Sequence, residues 1–209
     1  MNKTLGMLAL GLIASLVPAN AALIFDNSSR GDFQSGRGPE FSPLAAITVS
    51  TNVDISQIGA MVDLNSDGNM RFLIFNLDTN ALLLATPSAP YTDTGLAFQV
   101  SPVFSTFTLT PGITYGIGAI ADVGGGWEIN NSSGGNPFTQ NNITSSDDLN
   151  SNVTNFASPG ISGGGTAMIM VQLFGPDATT PEPASLALVG LGVVSLIVLR
   201  KRTAKPNVP

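Results

Sequence analysis

Between residues 22 and 175 apolar and small polar residues alternate in short runs bounded by Gly, Pro, Asn or Asp. That period of two is the mark of strands with one buried face. The pattern predicts strands over 23–26, 45–50, 55–62, 70–78, 81–86, 96–101, 104–110, 114–122, 127–130 and 167–174. Alternation is cleanest in Phe104-Ser105-Thr106-Phe107-Thr108-Leu109, where Phe107 and Leu109 share a face and their neighbours carry hydroxyls. Asp78-Thr79-Asn80 has the composition of a hairpin turn. No helical period precedes Ala184. Many short strands with frequent turns predict one all-β domain, a β-sandwich or jelly-roll-like fold.

Two stretches refine that expectation. In Leu109-Thr110-Pro111-Gly112-Ile113-Thr114-Tyr115 a Pro-Gly pair suits a type II turn between strands. Tyr115 stands where its hydroxyl can bond back to the turn, as in the tyrosine corner of sandwich domains, or where it is merely half-buried in a hairpin. Residues 129–166 are dominated by Asn, Ser, Thr and Gly, with few apolar anchors, and close on Gly163-Gly164-Gly165. They read as a long polar loop or insertion.

The two ends follow other patterns. Lys3 is followed by an apolar run from Leu5 to Val17 and then by Ala19-Asn20-Ala21. Small residues at −3 and −1 predict a secretory signal peptide over 1–21, cut between Ala21 and Ala22; a retained anchor is the alternative. At the other end Pro181-Glu182-Pro183 precedes an uncharged, Leu-, Val-, Ala- and Ile-rich run from Ala184 to Leu199, then Arg200-Lys201-Arg202 and Lys205. As a helix the run spans roughly 24 Å, short for a hydrocarbon core of about 30 Å but able to cross with local thinning. The basic cluster places the tail 200–209 in the cytoplasm and the body outside. A buried core helix is the alternative. The expected organisation is thus signal peptide 1–21, β body 22–175, linker and proline motif 176–183, short transmembrane helix 184–199 and basic tail.

Charge and composition narrow the function. The chain carries a net charge of −6, and between residues 22 and 180 its only basic side chains are Arg30, Arg37 and Arg71. An acidic surface disfavours nucleic acid as a partner. There is no cysteine, so an exported body must be held by its core without disulfides. There is no histidine, which removes the commonest general base and transition-metal ligand. No phosphate-binding loop is present, and a hydrolase is the least favoured class.

Within the body three sets of residues carry candidate chemistry. Asp63, Asn65 and Asp67, followed by Gly68, match the first half of a calcium loop, but the twelfth position is Ile74 where a bidentate carboxylate is needed. The competing reading is a hairpin loop, with no cofactor. Trp127, after Gly124-Gly125-Gly126, is either an exposed platform for a sugar ring or a core anchor. Glu128 and Asp122 lie near it as a weak echo of a glycosidase acid pair. Asn-X-Ser/Thr sequons at Asn27, Asn131, Asn142 and Asn152 read as chance in an Asn- and Thr-rich chain.

The C-terminal layout resembles the PEP-CTERM signal of exported bacterial proteins: Pro181, Glu182 and Pro183, the uncharged run, then Arg200, Lys201 and Arg202. The resemblance covers about a seventh of the chain and leaves the body open. It implies export through signal peptidase and the general secretion machinery, transient anchoring in the inner membrane by residues 184–199, and cutting near Pro181-Glu182-Pro183 by an exosortase. It also implies a cell-surface or matrix destination linked to exopolysaccharide and biofilm. The leading expectation is a non-enzymatic surface protein. The alternative is a carbohydrate-binding or adhesive module, calcium-assisted, using Trp127 or the polar loop.

Overall fold

Strands form where the short apolar runs lie: β12 buries one row of side chains and leaves the other partly exposed, whereas β3 and β11 are buried on both faces. The computed structural model describes residues 21–130, 137–165 and 167–176. In chain order the strands are β1 (Ala22–Asp26), β2 (Phe33–Arg37), β3 (Phe41–Val49), β4 (Val53–Ile55), β5 (Gln57–Leu64) and β6 (Gly68–Asn76). Next come β7 (Ala81–Ala85), β8 (Ala89–Tyr91), β9 (Ala97–Val100), β10 (Phe107–Leu109), β11 (Tyr115–Ala121) and β12 (Gly125–Asn130). The last are β13 (Phe138–Gln140), β14 (Ile143–Thr154), β15 (Gly160–Gly165), β16 (Met168–Ile169) and β17 (Val171–Gly175). Among the described residues the only helical element is a 3-10 turn at Ser28–Arg30, and none is long and apolar enough to cross a membrane. The run 184–199 lies outside the described residues.

All strand pairs are antiparallel and fall into two main sheets. One runs β1-β17-β5-β12-β16, with β2 added on β12 and β9 on β5; the other runs β13-β14-β3-β11-β6-β7, with β15 on β14 and β8 on β6. A small β4–β10 pair stands apart. The inner faces meet in one core: Val62, Trp127, Val171 and Leu173 from the first sheet pack with Ile47, Phe72, Ile74 and Ile117 from the second. This is a sandwich-like, two-layer body. A second cluster (Leu44, Leu73, Phe75, Ile120 and Val153) covers the outer face of the second sheet, closed by Phe156 and Ile161. Burial on both faces explains why β3 reads as a near-continuous apolar run.

Several expectations are revised. The run 55–62 divides at Ser56 into β4 and β5, and 167–174 divides at Met170 into β16 and β17. The polar zone 129–166 is not a loop: β14 pairs along β3, and β13 and β15 flank it. Its hairpin turn is Asn141-Asn142, both at positive φ (50° and 66°), the type I′ geometry that matches strand twist. Polar residues survive in this strand because, among its described side chains, Ile143, Ser145 and Val153 alone are buried, and Ser145 has a hydrogen-bond partner.

Asp63–Gly68 also differs from the hairpin reading. β5 and β6 belong to different sheets, so Asn65-Ser66-Asp67 forms a corner between layers. By contrast Leu77–Asn80 is the hairpin expected between β6 and β7, with Asn76 Oδ1 accepting from the backbone N–H groups of Asp78 (2.9 Å) and Thr79 (3.2 Å).

Candidate functional site

The corner at Asp63–Gly68 separates Asp67 from Asp63 and Asn65, which stay together on one groove. Asp67 Oδ1 accepts from the Asp93 N–H at 2.9 Å, which ties it to the β8–β9 connection. Asp63 stays on the outer face of the first sheet. Among the described residues no group of three or more His, Cys, Asp or Glu side chains is placed to hold a metal ion. Alternate oxygens share a face only while the strand continues, and here it turns between layers after Leu64.

Trp127 is 2 % exposed and belongs to the central core. Its alternation with the half-buried Gly126 and Glu128 turns the ring inward, so the sugar-platform reading is corrected: a ring packed on both faces cannot stack on a sugar. Asp122 clamps the corner, accepting at 2.7 Å from both the N–H and the Nδ2 of Asn69. Glu128 faces Gly31 instead; burial, then the negative charge of Asp32, push its carboxyl above the usual range. The two acids serve separate places and form no catalytic pair.

The tyrosine corner is present. Tyr115 Oη accepts from the Thr110 N–H at 3.0 Å and lies 3.1 Å from Thr110 Oγ1. Gly112 takes φ +85° in the turn, as a type II geometry requires.

Asn27, read in the sequence only as a sequon, is fully buried. Its Nδ2 donates to Ile169 O at 2.8 Å, and its Oδ1 accepts from the Val171 N–H at 2.7 Å. At Met170 the strand turns its own peptide groups toward Glu128 O and the Met61 N–H. The neighbouring groups would be orphaned, and the Asn27 amide replaces a missing peptide. A burial this complete closes the site to modification once the chain is folded.

What sequence reasoning missed lies on the outer face of the first sheet. There β2, β12 and β5 bring Gly36 opposite Gly126 and Gly126 opposite Asp63. The bare glycines floor an open groove of about 440 Å³, walled by Gln34, Asp63 and Asn65, with Arg37 at its rim, where pairing opposite Gly125 and Leu64 turns the side chain to the other face. That volume is within the usual range for ligand sites, about 300–1,000 Å³. The guanidinium of Arg37 lies 5.6 Å from the centre of the Phe41 ring. The available sequence signal was glycine inside strand runs, which marks close backbone approach; it falls on strands β2 and β12, of which β2 is too polar to be read as a strand.

The signal-peptide residues Ala19, Ala21 and Ala22 divide at the edge of this structure: Ala22 opens β1, whereas Ala19 lies outside the described residues. Pro181, Glu182, Pro183, Arg200, Lys201 and Arg202 also lie outside them. A family model described as the PEP-CTERM protein-sorting motif matches residues 179–202. No curated protein matches the chain.

Proposed function

We propose that this chain, which carries a PEP-CTERM sorting motif and is thereby directed to export and exosortase processing, is a non-enzymatic protein of the cell surface or extracellular matrix. The observation that carries the reading is the motif at residues 179–202. Pro181 and Pro183 favour an extended backbone that a peptidase can lay into its cleft. Glu182 is the charged handle between them. The segment 184–199 tethers the precursor in the inner membrane, with Arg200-Lys201-Arg202 on the cytoplasmic side. A role beside exopolysaccharide in biofilm belongs to the same proposal.

The body supports display in place of catalysis. It offers no His or Cys as a base or nucleophile, and its best-placed acid, Asp122, is spent on Asn69. The ends of the fold suit a tethered module. Ala22 pairs with Gly175 at one corner of the first sheet, so leader and sorting tail leave the body side by side.

The test is Glu182→Ala in a host that has the processing peptidase. Export and insertion proceed, but the uncut chain accumulates in the inner membrane. Release of the variant at the wild-type level would show that Glu182 is not read. The wild-type chain recovered from the exterior begins at Ala22; a mature form beginning at Met1 would remove the signal-peptide part of the proposal.

A further inference from the structure

We propose that the end of the body from which the sorting tail leaves is a lipid-docking surface, with Leu23, Val103 and Phe174 seated in the bilayer leaflet that faces the body. The inference rests on the proposed tether at 184–199 and adds where the body itself sits.

Three observations meet at this end. First, exposed apolar side chains gather there. Leu23 pairs with Phe174 across β1 and β17, and Phe174 pairs with Gln57 across β17 and β5, so the three form one row. Their neighbours Leu173 and Ile58 point into the core, which puts Leu23 and Phe174 on the outer face. Val103 stands at the same end. The next residue, Phe104, donates its N–H to Ser56 O, and Ser56 Oγ donates to Gly175 O. Val103 is 68 % exposed and Leu23 49 %, the two highest values among the exposed large apolar side chains described. Phe174 is half-buried. A single exposed leucine is ordinary, but here the two most exposed apolar side chains flank the exit of the tail.

Second, the chain leaves this end little freedom. Seven residues, 177–183, separate the last described residue from the apolar run. Fully extended they reach roughly 25 Å at most, and the headgroup layer on one side of a bilayer takes up about 5–8 Å of that. While the tail is in place the exit end stays beside lipid. Tethering makes the contact intramolecular, so a patch of a few side chains is enough to hold it.

Third, most of the charge lies at the opposite end. β5 leads from Gln57 at the exit to Leu64, about 23 Å away at 3.3 Å per residue. Beyond Leu64 lie Asp67, tied to the Asp93 N–H, and Asp122, tied to Asn69. Glu40 is beside them, its N–H bonded to Ala121 O. At the exit end Asp54 accepts from Thr108 Oγ1 and Asp78 from the Thr114 N–H. A separation of that size exceeds the Debye length of about 8–10 Å, so the acidic end feels little repulsion from anionic headgroups when the apolar end is seated. The reverse orientation would press the acids against them.

Seated in this way, the body lays residues 177–183 along the headgroup layer and presents Pro181-Glu182-Pro183 at the membrane surface, where the tether holds them for the processing peptidase.

The chain has no cysteine, so one introduced thiol carries a polarity-sensitive NBD label without competition. Val103→Cys and, at the far end, Ser66→Cys are labelled in the full chain and reconstituted in vesicles of phosphatidylethanolamine and phosphatidylglycerol. Emission at 103 should be blue-shifted and quenched by spin-labelled lipid, whereas the label at 66 should stay water-like and unquenched. Leu23→Glu, on the outer face, should keep the Tm and return the label at 103 to water-like emission with loss of most of its quenching. Water-like emission at 103 in a chain that floats with the vesicles would overturn the seating alone. So would equal quenching at 66 and 103, or full quenching at 103 in a folded Leu23→Glu chain. The comparison of 103 with 66 needs no second substitution, so it decides the matter even where Leu23→Glu fails to fold. A chain that does not float with the vesicles would remove the tether, and the seating with it.

Discussion

The amide of Asn27 stands in for a peptide group at the Met170 irregularity, so its chemistry is more demanding than its size. Asn27→Leu leaves Ile169 O and the Val171 N–H buried without partners, at about 1–3 kcal/mol for each orphan. Denaturant unfolding should show a loss of roughly 2–5 kcal/mol. Asn27→Asp keeps the shape but turns an acceptor toward Ile169 O, and should be at least as harmful at pH 7. Tyr115→Phe strips the partner from the Thr110 N–H and should cost about 1–2 kcal/mol. Glu128 behaves differently. Burial and then Asp32 raise its folded pKa, so the ionised form is disfavoured in the native state and costs stability above the unfolded pKa. Glu128→Gln should therefore stabilise at pH 7, by less than about 1 kcal/mol because the group is partly exposed. The gain should fade as pH drops through the folded pKa, which urea midpoints across pH would show. Asp26 has the opposite sign. Desolvation alone would raise its pKa, but hydrogen bonds from Ser28 and Gln172 outweigh it and hold the carboxyl low. Its stabilisation is present above the unfolded pKa and is lost as pH falls through the folded one.

Among the elements, the β5–β6 corner and the β15 cover depend most on single residues. Gly68 leaves no room for a Cβ between Val123 and Asp122. Gly68→Ala should displace the Asp122 clamp and cost about 1–3 kcal/mol, as overpacking does, with proteolytic sensitivity appearing near 65–69. Over the second sheet, Arg71 holds the segment beyond β14: its Nη1 donates to Phe156 O at 2.9 Å and Ala157 O at 3.2 Å, and its Nε to Thr86 O at 3.2 Å. Arg71→Met should loosen that cover before the central core melts. Faster amide exchange over 155–162, with the core strands still protected, is the expected signature; unchanged exchange there would mean that Phe156 and Ile161 suffice.

For the whole molecule, closure depends on its two ends. β1 pairs with β17 and brings Phe25 into the core, so the first and last strands are in register with one another. A chain lacking residues 22–27 loses this pair and the Asn27 amide together. It should show no cooperative melt, whereas a chain ending after Pro176 keeps every described strand and should melt as the longer form does. Residues 21–176 should therefore behave as a unit of folding, with the sorting tail as its passenger.

Much of this could be read from the residues alone, because it is local. Short apolar runs bounded by turn residues located β1, β3, β6, β7, β11 and β12 and made the all-β class legible. Pro111-Gly112 and Tyr115 marked the corner, since turn chemistry acts over a few residues. The sorting motif at 179–202 is legible for the same reason: it is a contiguous word. Tertiary structure decided whatever depends on which strands meet. β14 is too polar to announce itself and becomes a strand because β3 offers it a ladder and Asn27 takes up Ser145. Asp63 and Asp67 alternate in sequence but separate because the chain changes sheets between them. Trp127 turns inward because the glycines before it pair with strands on both sides. The groove depends on the same fact: Gly36 and Gly126 are far apart in the chain, and only the register of β2 on β12 makes them a floor.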